Sequence, residues 1–134
     1  VLPAESGALS NGAGVVNQWI EYNNDDTVRG RAYVGLGNTG ARVRFSGIDG
    51  GAGGAGAIEV RYSSGYSVHT LAVTVNGVQR TVSLPLLGNE PGWRHVNWGA
   101  VRVDGVTFAA GTANVVELST PGSWPNVSVD EIVV

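Results

Sequence analysis

Residues 69–84, HTLAVTVNGVQRTVSL, decide the fold. Leu71, Val73 and Val75 alternate with Thr70 and Thr74, the period of two that marks a strand with one buried face. Asn76-Gly77 follows, and a second strand-like run leads to Leu84. A tight two-residue hairpin needs positive φ at both central positions, and Asn-Gly tolerates this better than almost any other pair. The expectation is that strands 69–75 and 79–84 are antiparallel neighbours.

The same period recurs on both sides of this hairpin. Val43 and Phe45 alternate with Arg42 and Arg44, and Ile58, Val60 and Tyr62 with Glu59 and Arg61. Val101 and Val103 flank Arg102, and Val116 and Leu118 flank Glu117. Gly and Pro fall between these runs, and no segment shows a capped apolar stripe of helical spacing. About seven to nine short strands with regular turn signals predict an all-β fold: an antiparallel β-sandwich of jelly-roll type, one domain over residues 1–134.

Composition agrees. Twenty-one of 134 residues are Gly and only 14% are charged, a turn-rich pattern foreign to helical bundles. The net charge of −3 and eight scattered basic residues argue against a nucleic-acid partner. No run approaches the roughly 18 apolar residues of a membrane helix. The N-terminus, VLPAESG, has no charged segment followed by an apolar one, so a secreted protein would be represented here by its mature or an excised form. Without cysteine there is no disulfide and no thiolate chemistry.

If successive strands run antiparallel, the loops fall alternately at two poles. One pole gathers residues 36–40, 63–67, 85–97 and 120–125; the other gathers 49–56, 76–77 and 109–112. The first carries Tyr66, Trp93 and Trp124, with Tyr33 and Trp98 at its margin, whereas the loops of the second carry no aromatic residue. The loop within residues 84–98, LPLLGNEPGWRHVNW, is longer than a hairpin needs, and its two tryptophans speak against disorder. An indole face suits the C–H face of a pyranose ring, and nearby amides suit its hydroxyl rim. Asn126, just after Trp124-Pro125, supplies such an amide. The competing reading is that these rings cap the end of the core or pack on a neighbouring domain, as in a structural or adhesive sandwich. At the second pole, GGAGGAG over residues 50–56 reads as a flexible connection between two strands.

Other motifs point away from catalysis. GLGNTG over residues 35–40 matches a dinucleotide-binding spacing, but a strand pattern follows it where a helix is required. His69 and His95 lack metal-ligand spacing, no G-x-S-x-G elbow exists, and the aromatic pole offers Glu90 as its sole carboxylate, so no enzymatic activity is expected. Asp130 is in phase with Ile132, which places a carboxylate on the apolar side of the last strand. A buried charge needs a partner, and calcium is a natural one, with Glu5 as a second ligand. Alternatively a β-bulge turns Asp130 outward.

The ordered set AYVGLGNTGARVRF, IEVRYSSG, LAVTVNG, VSLP, GWRHVNWGAVRV, FAAGTANVVEL and PNVSVDEI resembles family 35 carbohydrate-binding modules and the related family 6, over nearly the whole chain. The resemblance implies a non-catalytic, calcium-binding β-sandwich, secreted as part of a polysaccharide-degrading enzyme. It places Trp93 and Asn126 where the family stacks and hydrogen-bonds a sugar, with Tyr33 and Tyr66 in contributing loops. Glu5 matches the second acid of the family's N-terminal Glu-Ala-Glu, and Asp130 its C-terminal calcium ligand. Pro3 stands in place of the first acid, so the metal site departs from the family pattern, and Asp25 and Asp26 are loose candidates for a further calcium. The expected ligand is a polysaccharide (galactan, mannan or a uronic-acid-containing glycan), bound at its end or a side-branch by a monomeric module.

Overall fold

The computed structural model describes residues 1–17, 32–88 and 97–134. Among them are eleven strands: β1 (Leu2–Pro3), β2 (Ala8–Ser10), β3 (Gly14–Asn17), β4 (Ala32–Gly35), β5 (Arg42–Ile48), β6 (Gly54–Ser64), β7 (His69–Val75), β8 (Val78–Leu84), β9 (Gly99–Phe108), β10 (Asn114–Ser119) and β11 (Val127–Val133). The described helical structure is one 3₁₀ turn, Ala4–Ser6. The β7–β8 hairpin has the expected register, closing at Val75↔Val78, with φ of 49° at Asn76 and 85° at Gly77. Those angles match the twist of the flanking strands.

Two antiparallel sheets face each other. One has the order β3-β4-β11-β6-β9, with β1 also beside β11; the other has the order β2-β5-β10-β7-β8. Val34, Ile58, Val60, Tyr62, Val129 and Ile132 from the first sheet meet Val43, Phe45, Leu71, Val73, Val116 and Leu118 from the second in one core. The alternation read from the sequence therefore marks the inward faces. Tyr62 is part of this core, and its hydroxyl donates to the Pro85 carbonyl at 2.9 Å. Burial pushes its phenol pKa up, so the donor stays protonated.

The first sheet is covered on its outer face too. Tyr33, Ser63, Ser128 and Asp130 all point away from the core and are nevertheless buried. The 3₁₀ turn packs on β4 and β11, and its Ala4 joins the core. Period-two patterning is read most easily where one face meets water, and β11 has water on neither.

Two sequence expectations are corrected. The strand count exceeds nine because β1, β2 and β3 are short and lack clear alternation. Residues 50–56 are not a flexible connection: Gly54–Gly56 already belong to β6, paired with Val106–Phe108. A Cβ on Gly56 would sit 3.0 Å from the Phe108 ring, so glycine here permits close contact with an aromatic residue at the end of β9. Residues 49–53 form a tied turn, with Gly50 N–H donating to Gly111 O and Gly111 N–H donating back to Gly51 O. For Asp130 the second of the two readings holds: the ladder between β11 and β6 shifts register between Val129 and Glu131, so a bulge takes Asp130 out of phase with Ile132 and off the core side.

Candidate functional site

The loops divide between the poles as the strand count implies, and hydrogen bonds between loops establish it. At one pole Leu36 N–H donates to Val127 O at 2.8 Å, Gly40 N–H to Thr120 O at 2.7 Å, and Gly65 N–H to Asn126 O at 3.1 Å. Ser63 Oγ donates to Asn97 O at 2.8 Å, which brings the end of the long loop to the same place. At the other pole Asn114 draws three turns together. Its Nδ2 lies 2.9–3.1 Å from the carbonyl oxygens of Ile48, Ala109 and Gly111, while its Oδ1 accepts from Ala109 N and Asn76 Nδ2. The aromatic pole is open and polar. The turns of the glycine pole are tied to one another by the Asn114 amide, and a cleft of about 300 Å³ lies beside them between Val75, Arg80 and Phe108.

Trp124 is the most exposed large hydrophobic side chain of the described residues, at 92%. Its φ is 50°, a left-handed conformation that bulky residues rarely adopt and that costs on the order of 1–2 kcal/mol. The loop that holds it there is laced to residues 36–40. Thr39 Oγ1 donates to Gly122 O at 3.0 Å, and the buried Thr120 hydroxyl lies 3.1 Å from Leu36 O and 3.2 Å from Asn38 O. Trp124 forms one wall of a cleft of about 290 Å³ lined by Gly37, Asn38, Thr39, Ser123 and Pro125. A flat ring beside hydroxyls and an amide is the combination that a sugar's two kinds of surface require.

Tyr66 stands at the same pole, 70% exposed with φ of 65°. Its loop is fixed by Gly65, whose carbonyl accepts from Ser67 N–H at 2.8 Å and from His69 Nε2–H at 2.9 Å. His69 thus braces the loop. Asn126 is half-buried at the mouth of β11, next to this loop. Tyr33 stands apart from them: it is on β4 rather than in a loop, 5% exposed, with its ring edge-on to Trp98 at a centroid distance of 5.3 Å. Trp93, Glu90, His95, Asp25 and Asp26 lie outside the described residues.

The two expected metal ligands lie on adjacent segments. Pro3 pairs with Glu131, so the Ala4–Ser6 turn that carries Glu5 runs alongside Asp130. Glu5 Oε2 is buried and accepts no hydrogen bond among the described residues. Asp130 is fully buried, and its Oδ2 accepts from Arg61 Nε at 2.9 Å. Sequence reasoning missed Arg61 as this partner, because only the bulge brings the two side chains to one face. No cluster of three or more His, Cys, Asp or Glu suited to a metal occurs among the described residues. A hard cation here would complete its shell with backbone carbonyls, which calcium accepts. The buried Glu5 oxygen, without a hydrogen bond among the described residues, on a segment adjacent to that of Asp130, would suit such an ion.

No protein-family model matches the sequence, and no curated protein matches it. Solved structures do match. A family 35 carbohydrate-binding module from Clostridium thermocellum superposes with a TM-score of 0.78 at 18% identity, over 98% of this chain and 92% of that one. A family 35 module from Cellvibrio japonicus gives 0.75 at 21% identity, over 98% and 88%. An exo-β-1,3-galactanase from Phanerochaete chrysosporium, solved with galactose, gives 0.77 at 19% identity over 97% of this chain. The chain spans only 27% of that enzyme's length. The neighbours it covers almost end to end are carbohydrate-binding modules, and the fold of this chain is that of a family 35 carbohydrate-binding module.

Proposed function

We propose that this protein is a non-catalytic module that binds a cell-wall polysaccharide (a galactan, a mannan or a uronic-acid-containing glycan) at its aromatic pole. It acts as a monomer and targets an attached, secreted polysaccharide-degrading domain. The observation that carries this reading is Trp124, held outward in a strained backbone conformation over a cleft with a polar rim. The fold shared with family 35 modules supports it. Trp93 and Asn126 join the site on the resemblance described above, with Tyr66.

A shallow site with one or two stacked rings gives affinities of about micromolar to millimolar, roughly −4 to −8 kcal/mol. Calorimetry against galactan, mannan, xylan and uronic-acid oligosaccharides tests the reading. Trp124→Gly suits the backbone angle and should leave the fold intact, yet weaken sugar binding by about 2 kcal/mol, roughly 30-fold. Unchanged binding by this variant removes the site. The second reading, a docking face for a neighbouring protein surface, draws on the exposed Tyr66, Val68 and Leu86 at the same pole. Self-association with no tryptophan fluorescence response to any sugar selects it.

Calcium belongs to the same proposal. Bound by Glu5 and Asp130, it would neutralise buried carboxylate charge and tie the first segment to the last strand. Chelation should then lower the melting temperature, and calcium at about 100 times its Kd should restore about 2.7 kcal/mol. Glu5→Gln should abolish that difference. A melting temperature indifferent to calcium in the parent protein refutes the ion.

A further inference from the structure

The segment 120–126 crosses the aromatic pole as a ridge and divides it. On one flank it is bonded to residues 36–40, through the Thr120 hydroxyl to Leu36 O, Thr39 Oγ1 to Gly122 O and Gly40 N–H to Thr120 O. On the other flank Asn126 and Val127 meet the end of β6, through Gly65 N–H to Asn126 O and the pairing of Val127 with Ser64. The cleft under Trp124 is lined entirely from the first flank and from the ridge itself, with no residue of the Tyr66 loop. Tyr66 projects from the second flank, where Pro85 O and Asn97 O receive the hydroxyls of Tyr62 and Ser63. One exposed ring, Trp124, thus stands on the ridge over the first flank, and another, Tyr66, on the second flank. Both rings sit at positive φ, 50° and 65°, where the chain accepts backbone strain to hold a side chain outward.

From this we infer that the pole holds two sugar subsites, one on Trp124 and one on Tyr66, separated by the Pro125-Asn126 ridge. The inference rests on the carbohydrate-binding reading and extends it. The ligand is an oligosaccharide segment of at least two residues laid across the ridge, rather than a single terminal sugar. A second ring engaged by the same ligand is an intramolecular contact, so affinity rises with chain length until both subsites are filled. A monosaccharide fills one subsite only.

Calorimetry with series of one, two and three residues built from galactose, mannose, xylose and galacturonic acid tests this. Trp124→Gly and Tyr66→Gly are the variants, since glycine suits both backbone angles and circular dichroism verifies folding. In at least one series the parent should bind a di- or trisaccharide about tenfold or more tighter than the monosaccharide. Each variant should lose that gain, and only one of them should lose monosaccharide binding. Equal affinity for all lengths in the parent overturns the two subsites and leaves the carbohydrate reading standing. Loss of monosaccharide binding in both variants likewise indicates a single site. Failure of every series to bind overturns both.

Discussion

Arg61→Ala should destabilise the protein by about 3–5 kcal/mol, among the largest losses open to any single side chain outside the core. Asp130 is fully buried, and the Arg61 guanidinium reaches it at 2.9 Å from β6 while keeping about a fifth of its own side chain in contact with water. Removing the cation leaves a carboxylate in a medium that solvates it poorly. Removing both charges is a different experiment. Arg61→Met with Asp130→Leu should cost less than Arg61→Ala alone, because neither substituted side chain then strands a buried charge. Urea denaturation of the single and double variants measures the difference, and additivity of the two changes would remove the pair from the account. The same variant also probes the metal proposal. If calcium seats on Asp130, added calcium should recover part of what Arg61→Ala loses, since one cation then substitutes for another.

The second large effect is expected at the opposite pole. Asn114→Ala should cost about 3 kcal/mol or more, and lower the melting temperature by roughly 10 °C in thermal denaturation. The Asn114 side chain is the common partner of the β5–β6 turn, the β7–β8 hairpin and the β9–β10 turn. Alanine leaves the Ile48 carbonyl and the Ala109 N–H without this partner, and Asn76 loses one of its three links to β10. Each such group costs its own desolvation when left unbonded. Sugar affinity should not change, because among the described residues none of the aromatic pole shares a hydrogen bond with the Asn114 side chain. A parallel loss of binding would show that the two poles are coupled.

How much of this was legible in the residues depends on what each strand faces. Asn76-Gly77 and the runs around it were readable because turn chemistry is local and β7 has one wet face. The counting of loops from that hairpin then placed Tyr66, Trp124 and Asn126 at one pole, which is where they lie. Tyr33 was harder. It alternates with Val34 as an outward residue should, yet the outer face of β4 is itself covered, so outward does not mean exposed. Asp130 left two readings open, because one inserted residue in the ladder reverses the phase; a carboxylate in phase with apolar residues hinted at the bulge but could not select it over a buried metal ligand. The glycines of 50–56 look like slack in one dimension, but only the folded chain shows Phe108 and Ala109 pressed against them. Asn114 gave no signal at all, being one amide at the start of an ordinary strand.

The pairing of Leu2 with Ile132 has a geometric corollary. β11 starts beside Trp124 and runs away from it, so its last residues, and Val1 next to them, emerge at the glycine pole. Any polypeptide continued past either end would hang from that side like a cord from the base of a lamp. The ring-bearing surface would point outward, free of its own tether, whichever terminus carried the rest of the protein.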